Sequence, residues 1–177
     1  MTLGAVIVEN RLNGAFSLAW KSVEKLGIPM VHFDNPDIKS LEDYNKLLTT
    51  PDFWENIAFD KILIFQSDCR VLRTNIQDFI QYDYVGAPWD FQQDGGNGGL
   101  SLRTKSVMLD VIKNHPRAKG MNEDIYFSKY IPEHGKLAPR DVCMRFSVET
   151  VYYPTPFGIH APWKWLPVEQ VKKLMVS

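Results

Sequence analysis

The sequence is poor in cysteine, in net charge and in long apolar runs. Its two cysteines, Cys69 and Cys143, are too few for a disulfide framework or a cysteine metal site. We therefore expect each to be a small buried residue in a reducing compartment. The formal net charge of -1 provides no basic surface for nucleic acid or anionic membranes. No apolar run approaches the roughly 20 residues that a membrane span needs.

The beginning of the chain lacks the marks of a targeting segment. Residues 1–9 hold no basic region, and their apolar run is too short for a signal peptide. The sequence thus predicts a cytoplasmic protein without an integral membrane segment. Its 177 residues, 45% apolar and 23% charged, have an ordinary globular composition with no repeat or linker. We predict one domain over residues 1–177.

Apolar runs typical of strands alternate with apolar residues at helical spacing, which predicts an α/β fold. The chain opens with a β-α-β unit, normally a right-handed parallel crossover, in which Gly27 ends the helix. Ser40 begins a capping box, and Pro51 suits a first helical turn. The predicted strands are 4–8, 28–33, 61–65, 84–89 and 100–103, and the predicted helices are 14–26, 41–48, 51–54, 74–82, 104–114, 123–130 and 168–176.

The most informative stretch is residues 61–65, in which Lys61 is followed by four successive apolar residues; it predicts a strand buried on both faces. It ends abruptly at Gln66, Ser67 and Asp68. In an open α/β sheet, ligands bind just outside the carboxyl ends of the strands. A carboxylate at that place can hold a metal ion or a ligand hydroxyl. The alternative is that Asp68 only caps the next turn.

A polar, glycine-rich stretch at residues 90–99 runs directly into the strand predicted at 100–103. Glycines such as Gly98 and Gly99 allow the backbone to approach a ligand closely. A flexible surface loop has the same composition. The spacing matches neither the Walker motif nor the G-x-G-x-x-G dinucleotide motif.

The acidic pair Glu123 and Asp124 follows Asn122 at the start of a predicted helix. Asn122 is a favourable N-cap, and negative charge is stabilising in a first helical turn. Helix capping alone would explain both carboxylates. The functional alternative is that one of them acts as a general base.

The order of these motifs resembles the GT-A class of glycosyltransferases, from Ala5 to His160. The chain is similar above all to small GT-A-like domains of viral and microbial genomes. The shared segments are Phe-Gln-x-Asp, Tyr-Asp-Tyr-Val-Gly-Ala-Pro-Trp, Gly-Asn-Gly-Gly-x-Ser-Leu-Arg, Asn-Glu-Asp and Phe-Gly-x-His. The resemblance implies a single GT-A-like domain with a Rossmann-like, mixed and mostly parallel sheet flanked by helices.

The resemblance also implies a metal site. Asp68 matches the last residue of the family's DxD motif, which coordinates a divalent metal, and His160 matches a late histidine that completes it. Gln66 stands where the first Asp would be and supplies no negative charge. Either the metal site is weaker, or Gln66 hydrogen-bonds the ribose or the sugar. Mn²⁺ or Mg²⁺ suits such ligands, and the imidazole favours Mn²⁺.

The remaining roles follow from the same resemblance. Asp124 matches the base of inverting members, and Glu123 is the second choice for it. Arg103 and Lys164 would add positive charge near the phosphates. The other donor-binding candidates, at the ends of strands and in the glycine-rich stretch, are Glu9, Asn10, Arg11, Gln66, Ser67, Asp68, Gly98 and Gly99.

The expected activity is transfer of a sugar from a UDP- or GDP-linked donor to a hydroxyl of a glycan or protein acceptor. One alternative is a degenerate, non-catalytic domain that binds glycan or protein, which the substitution by Gln66 favours. Another is a nucleotidyltransferase. That class carries a basic, glycine-rich loop after the first strand, and residues 9–14 match it only faintly.

Overall fold

The computed structural model describes residues 1–91 and 95–176. Residues 92–94, part of the polar, glycine-rich stretch predicted at 90–99, lie outside the described residues. The elements in chain order are β1 (Leu3–Val8), α1 (Gly14–Glu24), β2 (Met30–Phe33), α2 (Leu41–Leu48), α3 (Pro51–Glu55), β3 (Lys61–Phe65), β4 (Cys69–Val71), β5 (Tyr84–Ala87), β6 (Asn97–Thr104), α4 (Lys105–Asn114), α5 (Glu123–Tyr130), α6 (Arg140–Phe146), β7 (Ser147–Val148), β8 (Gly158–His160) and α7 (Val168–Val176). Short 3-10 helices occupy Ile76–Phe79, Ile131–Glu133 and Pro162–Lys164.

The main sheet has five strands in the order β2-β1-β3-β6-β5. Strand β1 is parallel to β2 and to β3, whereas β6 is antiparallel to both β3 and β5. Four of the five strands therefore share one direction, which confirms the mixed, mostly parallel α/β sheet flanked by helices. Because β6 runs backwards, its first residues lie beside the carboxyl end of β3.

Both faces of this sheet are covered, which explains the uninterrupted apolar runs. Successive residues of a strand point to opposite faces. In β3, Leu63 and Phe65 pack in a layer with residues of α1 and α6. Ile62 and Ile64 pack in the other layer, with residues of α2, α3, α4 and α5.

A second, three-stranded sheet has the order β4-β8-β7 and was not predicted from the sequence. Its strands have only two or three residues each, too few for a periodic pattern. Strand β4 follows directly after Asp68 and pairs antiparallel with β8, which places Cys69 opposite His160. This small sheet therefore brings the late strand β8 to the carboxyl end of β3.

Several local predictions are corrected. Gly98 and Gly99 belong to strand β6 rather than to a loop, and the carbonyl of Gly99 accepts from the backbone N–H of Gln66, just beyond β3. Asn122 is the N-cap residue of α5, but its side chain makes no capping bond. The amide oxygen of Asn45 instead accepts from the backbone N–H of Glu123 at 3.0 Å. Helix α1 ends at Glu24, two residues earlier than predicted; Gly27 follows in a turn with a φ of +65°, and its N–H donates to the carbonyl of Glu24.

Two further observations concern the expectations from composition. Both cysteines are buried and unpaired, as expected for small apolar residues. Over residues 1–91 and 95–176, no helix combines the length and the apolar character that crossing a bilayer requires.

Candidate functional site

A polar cavity of about 860 Å³ opens at the carboxyl ends of β1 and β3. Its size falls within the range of ligand-binding clefts. Strand β1 contributes its last residues, strand β3 contributes the residues that follow it, and the 3-10 helix after β8 adds one lysine. The predicted donor-binding residues that line the cavity are Glu9, Asn10, Arg11, Gln66, Ser67, Asp68 and Lys164.

Asp68 makes two charged contacts at this cavity. Its Oδ1 lies 3.2 Å from His160 Nε2, and its Oδ2 accepts from Lys164 Nζ at 2.9 Å. Burial alone would raise the pKa of Asp68, but the hydrogen bonds and charges of His160 and Lys164 hold it well below its usual range. The carboxyl group of Asp68 is therefore ionised at neutral pH.

His160 is buried between three oxygen-bearing side chains. Its Nε2 lies 3.1 Å from Gln66 Oε1 in addition to the contact with Asp68, and its Nδ1 lies 3.2 Å from Glu149 Oε1. Burial alone would lower the pKa of His160, but its contacts with Asp68 and Glu149 raise it to about 9. Without a metal ion, this imidazole is a cation held between two carboxylates.

The ligand atoms of Asp68, Gln66 and His160 fit a divalent cation. Asp68 offers a carboxylate oxygen, Gln66 a neutral amide oxygen and His160 an imidazole nitrogen, so oxygen ligands predominate as Mn²⁺ and Mg²⁺ prefer. Glu149 beside Nδ1 would orient the ring so that Nε2 faces the cation, a common outer-shell arrangement. The Cys69 thiol lies within 4.8 Å of the ligand atoms of Asp68 and His160. It donates to the carbonyl of Gly99, and burial raises its pKa well above the usual value, so it is not a fitting ligand.

The end of β1 supplies a second charged pair. Arg11 Nε donates to Glu9 Oε1 at 2.9 Å. Burial alone would raise the pKa of Glu9, but the hydrogen bonds from Arg11 and Ser67 outweigh it and lower that pKa. Asn10 donates to the backbone carbonyl of Ile38, so it fixes the loop that follows β2. The guanidinium of Arg11 remains largely exposed at the cavity.

The two glycines of β6 allow close contacts on opposite sides of the strand. A Cβ added to Gly99 would lie 2.3–2.6 Å from the ring atoms of His160. A Cβ added to Gly98 would lie 2.1 Å from Glu123 Oε1. Real Cβ atoms do not approach other atoms so closely, so both positions require glycine. This requirement, rather than loop flexibility, explains the Gly-Gly pair.

Asp124 lies beside Gly98 at the beginning of β6. Its Oδ2 accepts from the backbone N–H of Gly98 at 3.2 Å, and its Oδ1 accepts from that of Ile125 at 2.8 Å. Burial and the neighbouring charge of Glu123 raise the pKa of Asp124 to about 6. A carboxyl group with such a pKa can gain and lose a proton near neutral pH.

Arg103 and Glu123 form a buried ion pair, which revises the expectations for both. Arg103 is fully buried and Glu123 nearly so. Both guanidinium Nη atoms donate to the carboxylate, with Nη2 to Oε1 at 2.9 Å. The guanidinium also lies 5.0 Å from the ring centroid of Tyr84. Neither residue is available to a donor phosphate or an acceptor hydroxyl, because each satisfies the other.

The structure thus brings some of the predicted site residues into contact and places others near them. His160 contacts both Asp68 and Gln66, and these two partners line the cavity. Asp124 and His160 are not among the lining residues. The successive residues Gly98 and Gly99 connect them, since one contacts Asp124 and the other abuts His160.

Sequence reasoning missed Glu149 and Asn45. Glu149 follows the two-residue strand β7, which is parallel to β8 and so lies beside His160. Its only signal was a carboxylate at the end of a short apolar run. Asn45 lies inside α2, and nothing in its neighbourhood indicated that it would hold the start of α5.

The profile of the family described as "Protein of unknown function (DUF5672)" matches residues 27–160. It therefore includes Gln66, Asp68, Asp124 and Glu149 and ends at His160. A search of curated proteins found no match.

Several solved structures are similar to the chain. A glycosyltransferase involved in glycosylating the major capsid of PBCV-1 is 15% identical, with a TM-score of 0.65 and coverage of 99% of this chain and 98% of that one. Protein A197 from STIV is 14% identical, with a TM-score of 0.52 over 77% of this chain and 80% of that one. The apo-form glycosyltransferase GlyE of Streptococcus pneumoniae TIGR4 is 14% identical, with a TM-score of 0.54; all of this chain matches 61% of GlyE. At such low identity these likenesses establish a shared fold.

Proposed function

This chain belongs to the DUF5672 family, described as proteins of unknown function, and we propose that it transfers a sugar from a nucleoside-diphosphate sugar to an acceptor hydroxyl. The observation that carries the proposal is the contact between Asp68 and His160, 3.2 Å apart, at a polar cavity of about 860 Å³. The fold shared with two glycosyltransferases supports the same class of reaction.

The charge distribution in the cavity suits a diphosphate. Arg11 and Lys164 place a guanidinium and an ammonium at the same opening as the carboxylate of Asp68. Lys164 is half exposed and held only by Asp68 among its charged contacts in the described residues, so it can turn toward a phosphate. Asp68, Gln66 and His160 would hold Mn²⁺ or Mg²⁺, which when bound neutralises charge on the leaving diphosphate.

Asp124 is the proposed base for the acceptor hydroxyl. A base must be ionised before it can take the proton of an acceptor hydroxyl, and a pKa of about 6 leaves Asp124 ionised at neutral pH while keeping it basic. Glu123 does not compete for this role, since its carboxylate is paired with Arg103. Direct attack by the hydroxyl assisted by one base corresponds to inversion at the sugar carbon.

Nucleotide binding is the first test. We expect UDP or GDP, or their sugar conjugates, to raise the melting temperature in the presence of Mn²⁺. Asp68→Asn should abolish the Mn²⁺-dependent part, because the site loses its only carboxylate ligand. Asp110→Asn, which changes an exposed carboxylate on α4, is the matched control and should behave like the wild type. The proposal fails if none of these nucleotides changes the melting temperature at millimolar concentration.

Turnover separates the enzyme from a binding module. Release of UDP or GDP from the stabilising donor, with simple sugars and glycans as acceptors, should require both Mn²⁺ and Asp124. Tight donor binding without any release of nucleotide, by transfer or hydrolysis, would favour the non-catalytic alternative that Gln66 suggests.

A further inference from the structure

A second group of potential metal ligands lies at the end of α4. It consists of His115, which follows α4, and of Glu133 and His134, at the end of the 3-10 helix after α5. The two Nε2 atoms lie 2.9 Å apart, and His115 Nε2 lies 3.6 Å from Glu133 Oε2. The three potential ligand atoms are all within 4.8 Å of one another. None of these residues lines the polar cavity.

The distances are close to those of a metal centre. Two imidazole nitrogens at about 2.0–2.1 Å from a tetrahedral Zn²⁺ lie about 3.3 Å apart. The observed separation of 2.9 Å corresponds to a hydrogen bond, in which one Nε2 donates and the other accepts. A shift of a few tenths of an ångström would open it to the metal-bound distance. The histidine whose Nε2 carries hydrogen would then carry it on Nδ1.

The surrounding contacts hold these ligands in place. The ring of His115 stacks on Tyr130, with centroids 4.1 Å apart and an interplanar angle of 15°. The hydroxyl of Tyr126 donates to the carbonyl of His115, and the backbone N–H of His134 donates to the carbonyl of Ile131 at 2.9 Å. The ring of His115 and the backbone of both histidines are therefore fixed before a metal binds, whereas the exposed side chain of Glu133 must still be ordered.

We propose that His115 Nε2, His134 Nε2 and Glu133 Oε2 form a second metal site, for Zn²⁺ or a similar transition-metal ion. Two imidazoles and one carboxylate bind Zn²⁺ in preference to Mg²⁺, and a water molecule completes the fourth coordination position. The metal links the end of α4 to the 3-10 helix after α5, two segments that only tertiary contacts otherwise join. This site is independent of the nucleotide cavity and of the proposed transfer.

Cobalt and zinc titrations of the full chain test the site. After treatment with EDTA and its removal, one equivalent of Co²⁺ should produce visible absorption typical of tetrahedral coordination. Zn²⁺ should displace it and raise the melting temperature by about 5–10 °C at 100 times its Kd. His134→Gln should abolish the absorption, and Glu133→Gln, at an exposed residue, should weaken binding about tenfold.

His160→Gln is the matched control, since it removes the imidazole of the other candidate site. It should retain the Co²⁺ absorption and the Zn²⁺ shift. The proposal is overturned if His134→Gln binds Co²⁺ as the wild type does, if His160→Gln removes the absorption, or if the wild type gives none. Retention of nucleotide binding by His134→Gln would show that this variant is folded and would leave the absorption result decisive.

Discussion

The imidazole Nε2 of His160 lies 3.2 Å from Oδ1 of Asp68, and the pairing of β4 with β8 fixes this contact. Cys69, the residue after Asp68, is directly opposite His160 in that pairing. The two side chains therefore meet because of a backbone register, and their mutual attraction only adds to it. A substitution that preserves the pairing of β4 with β8 should therefore change the charge of Asp68 or His160 without moving the two residues apart.

Glu149→Gln should weaken Mn²⁺-dependent nucleotide binding about 10–100-fold, the usual effect of losing an outer-shell carboxylate. The amide retains a similar shape but carries no charge, so His160 Nδ1 loses an ionic partner. In the metal-free protein, NMR titration should show a pKa of about 9 for His160 in the wild type and a lower value in the variant. Glu169→Gln, on the exposed side of α7, is the control. An unchanged His160 titration would refute the positioning role of Glu149.

The rate of nucleotide release should rise with pH and reach half its maximum near pH 6. Asp124 acts as a base only when ionised, and its pKa is raised to about 6, so activity is lost as pH falls through that value. Asp124→Asn should lower the rate by roughly 10²–10⁴-fold and abolish this limb of the profile. A limb centred near pH 4, or one that persists in the variant, would count against Asp124.

The same raised pKa predicts an effect on folding. Native Asp124 binds its proton more tightly than the unfolded chain does, so its contribution to stability is fully present below about pH 4. That contribution is lost as pH rises through about 6. Urea denaturation at several pH values should reveal it as a difference between the wild type and Asp124→Asn. The difference should change sharply between pH 4 and 6 and remain constant above pH 7.

Gly99→Ala should impair the metal site more than a methyl group on the surface would. The new Cβ would lie 2.3–2.6 Å from the His160 ring, which must move. We expect loss of Mn²⁺-dependent stabilisation by nucleotide and a decrease of about 1–3 kcal/mol in the free energy of unfolding. Gly14→Ala, at the start of α1, is the control because no atom lies within 4 Å of its added Cβ. Equal behaviour of the two variants would disprove the steric role of Gly99.

Glu123→Gln should destabilise the protein by about 3–5 kcal/mol, because the fully buried charge of Arg103 is left without its partner. Replacing both residues by methionine should recover most of that loss, since apolar side chains suit the aromatic surroundings of Arg103. Urea denaturation measures both variants. A double variant no more stable than Glu123→Gln would mean that the pair itself, rather than the unpaired charge, dominates.

The features that the sequence predicted correctly are those that depend on neighbouring residues in the chain. Strand β3 was predicted because four successive apolar residues, 62–65, need a sheet covered on both faces. Asp68 was selected because it follows that strand. The second sheet escaped prediction since its strands have two or three residues and depend on pairing between distant segments.

The largest difference between the sequence predictions and the structure concerns charged residues, and its cause is similar. From the sequence, Arg103 was expected near the donor phosphates, and Glu123 either as a base or as an acidic residue in a first helical turn. Their mutual pairing depends on how α5 packs on β6, and no spacing rule for a single element indicates it. The hydrogen bond from the backbone N–H of Glu123 to Asn45 likewise depends on contact between segments that are distant in the chain.

The late position of β8 in the chain has a consequence during synthesis. Domains generally begin to fold from their N-terminal part while translation proceeds at about 5–20 residues per second. Strand β3 and Asp68 therefore leave the ribosome roughly 5–20 s before His160 does. Throughout that interval the nascent chain holds a carboxylate without its histidine. One of the three proposed cation ligands is therefore missing until the last strand of the small sheet has been made.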